Sequence, residues 1–128
     1  MQPKFVHLRF HSEYSITDGI GRLNPAIKQM KEWGVGAFGQ TDLMNMFGSV
    51  RFYESCHKEG IKPILGCDLW ITNEEDPAHP FRLTVYCMDH DGYHSLCVLL
   101  TRAWLENQCH VKGRGEVKES WLAGEGTK

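Results

Sequence analysis

Phe5-Val6-His7-Leu8-Arg9-Phe10-His11-Ser12-Glu13-Tyr14-Ser15-Ile16-Thr17-Asp18-Gly19 is the stretch on which the rest of the chain depends. Successive side chains of an extended segment point to opposite faces. The alternation predicts a strand with Val6, Leu8 and Phe10 on one side and His7, Arg9 and His11 on the other. Three ring or cationic groups then share one face, and the strand gives way to a polar turn that ends in Asp18-Gly19. Imidazole and carboxylate at one rim are metal-ligand chemistry, here with a guanidinium among them.

Downstream, Asn24-Pro25 reads as an N-cap and first helical residue, with Ile27 and Met30 inward and Gly34 as the stop. Residues 35–40 form a short glycine-rich strand that delivers Thr41-Asp42 to its end, and residues 43–48 form a loop. Ser49 is expected to cap the next helix, whose buried stripe reads as Val50, Tyr53 and His57, widened by Phe52 and Cys56, with Gly60 closing it. Residues 61–71 form a third apolar run, in which Pro63 confines the strand to later positions. A fourth strand at 81–87 alternates Phe81, Leu83, Val85 and Cys87 with Arg82, Thr84 and Tyr86. Asp91 then caps a long helix with Leu96, Leu99, Leu100 and Ala103 buried. Past residue 107 the chain is polar and glycine-rich, with one short helix possible at 116–122.

This βα order predicts an α/β fold with mainly parallel strands and flanking helices. Three or four strands cannot close a barrel. The expectation is one domain that is part of something larger, with residues 1–107 as its N-terminal portion and residues 108–128 as a truncated continuation.

Composition narrows the function. A net charge of −2 and a pI near 6.4 do not favour the phosphate backbone of DNA or an anionic membrane. No apolar run approaches the ~18 residues of a membrane span, and no signal peptide is evident, so the expected location is the cytoplasm. The cysteines, Cys56, Cys67, Cys87, Cys97 and Cys109, form no C-x-x-C pair, and their odd number argues against a disulfide framework. They read as free thiols. His57, His79, His90, His94 and His110 lack ligand spacing and read as surface. Trp104 and Trp121 are candidate partner contacts, although tryptophan at helical spacing is more often core.

In βα folds, sites gather where loops leave the C-terminal strand ends. His11, Asp18, Asp42 and Asp68 are the candidates there, with His7 and Arg9 one step inside. Such a set could hold two cations that clamp a phosphoester in hydrolysis.

Several ordered blocks carry a family resemblance: residues 7–15 with Asp18-Gly19; Thr41-Asp42 with Phe47-Gly48 and Phe52-Tyr53; residues 60–64 with Gly66-Cys67-Asp68; then Leu83-Thr84, Gly92-Tyr93 and Leu96. Over residues 4–107 the chain resembles the polymerase-and-histidinol-phosphatase (PHP) family, in particular the PHP domains that open bacterial DNA polymerase III alpha subunits. The resemblance implies a distorted seven-stranded α/β barrel of which this chain carries roughly half. It also implies a parent that synthesises DNA with Mg²⁺ using residues elsewhere. The implied partners are the rest of the alpha subunit and the proofreading exonuclease subunit, with DNA reached through the parent only and no membrane.

The chain departs from the family pattern at the metal positions. Arg9 stands at the first histidine of H-x-H and only His11 remains; T-D-H reads Thr41-Asp42-Leu43; Asp68 replaces a glutamate; Arg82 replaces a fourth-strand histidine. A guanidinium ~4 Å from a dication would be repelled by about 8 kcal/mol at an effective dielectric of ~20. The expectation is therefore a degenerate site with no catalytic residue and no cofactor, in which Arg9 holds Asp18 or Asp68. On that account Arg9→Ala should cost several kcal/mol. His11, Asp18 and Asp68 are the ligands if a metal is held at all. The alternative is a metal-dependent PHP phosphoesterase using zinc or manganese.

Overall fold

The computed structural model describes residues 5–109 and 112–123. His110, expected at the surface, lies outside them. A 3₁₀ turn (Glu13–Ser15) precedes helix α1 (Leu23–Glu32), strand β1 (Ala37–Gln40), helix α2 (Ser49–Glu59), strand β2 (Lys62–Ile71), strand β3 (Phe81–Tyr86) and helix α3 (His90–Glu106). The two-residue strands β4 (Gln108–Cys109) and β5 (Arg114–Gly115) and a short helix α4 (Glu119–Leu122) follow.

The main sheet has the order β1-β2-β3 and is mixed, with one parallel and one antiparallel pair. β1 runs parallel to β2, with Ala37 opposite Lys62, because α2 provides the crossover. β2 and β3 are antiparallel, with Gly66 opposite Tyr86, because residues 72–80 contain no helix and simply reverse the chain. Residues 42–44 extend the β1 register along β2: Leu43 bridges Asp68, and the Asp68 and Met44 amides donate to Asp42 and Asp68 carbonyls. Val117 pairs with Ile71 on the same strand.

The opening segment is not the regular strand that its alternation predicts. It lies along β1 through one bridge, His7 to Phe38, while Gly39 and Thr41 donate to the carbonyls of His7 and Phe10. Three residues on one side thus span two on the other, the mismatch of a bulge. Alternation fails as a result: Leu8 is 48% exposed, whereas Phe10 packs 5.1 Å from Phe38. The approach is so close that a β-carbon on Gly39 would lie 2.6 Å from the Leu8 carbonyl oxygen.

Two apolar cores hold the sheet. Leu23, Ile27 and Met30 of α1 meet Phe38, Phe52 and Cys56 on one side. On the other, Cys67, Leu69 and Ile71 of β2 pack against Leu96, Leu99, Leu100 and Ala103 of α3, as their spacing predicts. Trp121 joins this second core, whereas Trp104 is 38% exposed.

Several boundaries differ from expectation for physical reasons. α1 starts at Leu23, so Pro25 sits third, where its missing N–H is still among the unpaired amides of the first turn. Gly48, not Ser49, is the cap residue of α2, and the Ser49 hydroxyl turns to the Met46 sulfur. The buried stripe of α2 is Ser49, Phe52 and Cys56; Val50 and Tyr53 face outward. Pro63 lies within β2, because the amides of its neighbours face β1 and its own nitrogen faces the edge that β3 does not reach. Asp89 caps α3 by accepting from the Gly92 amide, two residues before the expected Asp91.

Candidate functional site

The turn after the opening segment is shaped by Asp42. Its Oδ1 accepts from the Ser12 amide and its Oδ2 from the Ser12 hydroxyl, both at 2.6 Å, and Gln40 Nε2 adds a bond at 3.0 Å. Asp42 therefore ties together two segments and does not cap its own loop. Among the described residues, its hydrogen-bond partners are all neutral. Burial pushes its carboxyl above the ordinary range, and the donors from Ser12 and Gln40 only partly offset that.

Asp68 lies 26 residues further on and is held differently. It sits inside β2, not at a strand end, and its side chain is fully buried. One oxygen, Oδ2, accepts from Arg9 Nε at 2.9 Å and Nη2 at 2.8 Å and also meets His11 Nε2 at 2.5 Å. The other, Oδ1, accepts from the Thr84 hydroxyl. Burial works against the charge, but the bonds from Thr84, Arg9 and His11 and the Arg9 charge outweigh it and hold the carboxyl below its usual range. The same pairing raises the Arg9 pKa.

His11 bridges two carboxylates, since its Nδ1 faces Asp18 Oδ2 at 2.8 Å. Asp18 thus meets His11, and not Arg9. Its Oδ1 accepts from the Ser15 hydroxyl at 2.6 Å, and the Leu43 amide donates back to Ser15. Arg9, His11, Asp18 and Asp68 form one network. Leu43 joins it only through its backbone, its side chain packing on the α3 core. Arg82 lies apart, its guanidinium 4.3 Å from the Trp70 ring centroid. His7 packs edge-on against Phe5. His57, His79, His90 and His94 are exposed, as expected.

Two members of the network, Thr84 and Ser15, lie within the family-like blocks but are not singled out as site residues by the sequence. Thr84 stands opposite Asp68 in the antiparallel register, so pairing β2 with β3 would have found it. Ser15 is found only once the turn is folded. Among the described residues, no group of three or more His, Cys, Asp and Glu side chains is arranged to hold a metal ion.

The chain belongs to the PHP domain family, whose model matches residues 7–127. The DNA polymerase III subunit alpha of Vibrio cholerae is 36% identical over 120 residues, covering 94% of this chain and 10% of that protein. The subunit of the same name from Neisseria meningitidis serogroup B is 40% identical over 121 residues, with the same coverage of 94% and 10%. The chain thus spans about a tenth of the length of the curated relatives it matches. An amidohydrolase from Chromobacterium violaceum shares the α/β fold, with a TM-score of 0.60 and 17% identity over 77% of this chain and 32% of that one.

Proposed function

We propose that this chain is the opening PHP segment of a bacterial DNA polymerase III alpha subunit, and that its site is a structural charge network without catalysis. Identity of 36% and 40% to two such subunits over nearly the whole chain supports the first part. In this reading the parent performs DNA-templated DNA synthesis with Mg²⁺, using residues outside this chain. Residues 1–107 are the N-terminal portion of a distorted seven-stranded barrel, residues 108–128 continue it, and the parent supplies the other strands. The location is cytoplasmic, and no described helix is long and apolar enough to cross a membrane. The rest of the alpha subunit and the proofreading exonuclease subunit are the partners.

The Arg9–Asp68 contact carries the second part. In metal-binding family members the Arg9 position supplies a ligand; here it supplies a cation. The donor set does not fit a dication, because Oδ2 of Asp68 is taken by Arg9 and His11, and the other His11 nitrogen faces Asp18. A metal there would have to displace a guanidinium that already neutralises the buried charge. Arg9, His11, Asp18, Leu43, Asp68 and Arg82 are vestigial metal positions, and the segment needs no cofactor.

Elemental analysis of the purified chain tests the site reading: stoichiometric zinc, manganese or iron would overturn it. The variant Arg9→His/Leu43→His/Arg82→His adds the missing ligands, and the third substitution also removes the Arg82 guanidinium from the Trp70 ring. If the unmodified chain hydrolyses a generic phosphodiester as fast as the triple variant, the site is not degenerate. The gene's reading frame tests the polymerase reading. A stop codon soon after the Lys128 codon would sink it, and many hundreds of further codons would support it.

A further inference from the structure

Ile16 and Met44 are the non-glycine residues with positive φ among those described, at 68° and 54°. They are the chain neighbours of Ser15 and Leu43, which are joined by a 2.9 Å bond from the Leu43 amide to the Ser15 hydroxyl. Strained backbone thus flanks one hydrogen bond on both sides. The Ile16 turn, at φ 68° and ψ −63°, closes through the Thr17 amide on the Ser15 carbonyl, a three-residue turn that a β-branched residue adopts only under constraint. Such conformations persist only where the surroundings over-determine them.

The constraints on the two residues are unequal. Met44 is held three ways: its amide donates to the Asp68 carbonyl at 2.9 Å, its sulfur accepts from the Trp70 amide at 3.2 Å, and its carbonyl accepts from the Trp104 indole at 2.9 Å. The first two partners belong to β2, and α3 supplies the third. Ile16 is 71% exposed and is fixed by its neighbours: the Ser15 hydroxyl accepts from Leu43 and donates to Asp18 Oδ1 at 2.6 Å. Asp18 in turn meets His11. A continuous relay of contacts therefore runs from Trp104 through Met44, Leu43, Ser15 and Asp18 to His11 and Asp68. Trp104 is itself seated on the β4–β5 hairpin, where a β-carbon added to Gly115 would lie 3.0 Å from the indole.

We infer that Trp104 is a clasp: its indole N–H keeps the 43–44 backbone in the strained form that holds Ser15, and α3 thereby sets the geometry of the Asp18–His11–Asp68 network. Two states of the 15–18 turn are implied. With the clasp closed, Leu43 holds Ser15 and Asp18 faces His11. With it open, Met44 and Ile16 relax to negative φ, the Leu43–Ser15 bond is lost, and Asp18 is released from His11. Trp104 acts through the 43–44 backbone and is a positioning residue. The inference goes beyond the charge-network reading, which elemental analysis tests separately, and the polymerase reading does not enter it.

Hydrogen–deuterium exchange of the full-length gene product, read peptide by peptide, tests it. Trp104→Phe keeps a ring and removes the donor. It should speed exchange in residues 12–18 and 43–47 by about fivefold or more, the factor that corresponds to one hydrogen bond, and leave α1 and α2 unchanged. Trp121→Phe alters the same core but leaves the Trp104–Met44 bond in place, and it should not speed exchange in residues 12–18. Ile16→Gly, at an exposed position, takes up positive φ without strain and should slow exchange in residues 42–46 by about twofold or more. Unchanged exchange at 12–18 in Trp104→Phe, an equal rise over every segment, or the same rise in Trp121→Phe would overturn the proposal. Should Trp104→Phe not fold, Ile16→Gly decides alone: unchanged or faster exchange at 42–46 would then overturn it.

Discussion

Arg9 and Asp68, 59 residues apart in sequence, meet through two guanidinium nitrogens on a single carboxylate oxygen. The partners are not equivalent: the arginine side chain is 53% exposed and the carboxylate is fully buried. Without Arg9, Asp68 keeps its bonds to His11 and Thr84, and water already screens half of the guanidinium. Arg9→Ala should therefore cost about 1–2 kcal/mol, less than sequence alone suggested. Asp68→Ala strips the acceptor from three donors and should cost about 3–5 kcal/mol. Urea denaturation of both variants measures the order, and equal costs would mean that the network is not centred on Asp68.

The two buried aspartates should pull the pH profile in opposite directions. Asp68 has a folded pKa below its unfolded value of about 3.9, so its stabilisation is present above that pH and is lost as pH falls through the folded pKa. Asp42 has a raised folded pKa, so its contribution is fullest at low pH and is lost as pH rises from the unfolded value through the folded one. Relative to wild type, Asp42→Asn should gain stability as pH rises from about 4 towards 7. An asparagine fits there, because Gln40 Oε1 is buried without a partner among the described residues and a turned Gln40 amide would accept from it. Relative to wild type, Asp68→Asn should lose its disadvantage on acidification. Denaturation midpoints across pH check both signs, and profiles parallel to wild type would contradict them.

Gly19 closes the turn against Ser12, where an added β-carbon would lie 1.8 Å from the Ser12 carbonyl oxygen. That atom is backbone, and Ser12 is itself pinned by Asp42. Gly19→Ala should cost about 2–4 kcal/mol. Gly34→Ala, at a positive φ of 70° but in open space, should cost only about 1 kcal/mol. Thermal melts that rank them the other way would show that the turn can relax.

The thiols offer a test of packing. Cys56 and Cys67 are fully buried, and burial pushes each thiol up to about 12, while Cys87, Cys97 and Cys109 are partly accessible. A thiol-exchange reagent at mildly alkaline pH should label Cys87, Cys97 and Cys109 in the folded chain and reach Cys56 and Cys67 only after denaturant is added. Burial also raises the Cys87 pKa, so its labelling should quicken markedly as pH is raised further. Early labelling of Cys67 would mean that β2 opens locally.

What was legible in the sequence was the part governed by long regular patterns. The stripe of Leu96, Leu99, Leu100 and Ala103 spans several turns of α3, and it packs as its period demands. In α2 two stripes compete, Val50 with Tyr53 and Phe52 with Cys56, and only the position of β1 decides which is buried. The sequence grouped Arg9, His11, Asp18 and Asp68 with Asp42 and His7 as residues near strand ends. The first four meet, but Asp68 does so from inside β2, while Asp42 and His7 contact other groups. The wiring was not legible, because which carboxylate takes the guanidinium depends on a bulge that alternation cannot reveal. Arg82 shows the limit of positional analogy: the aromatic ring of Trp70, directly opposite it in the β2–β3 ladder, gives its guanidinium another partner.

The placement of Arg9 also constrains how this chain can change over generations. Asp68 is enclosed in β2 by backbone that pairs on both edges, so its charge cannot move to water when a partner is lost. Any lineage that exchanges Arg9 for a neutral residue passes through a form in which His11 and Thr84 alone hold that charge, unless a new cation arrives in the same step. The contact therefore acts as a ratchet in sequence space, easy to keep and hard to reverse one substitution at a time.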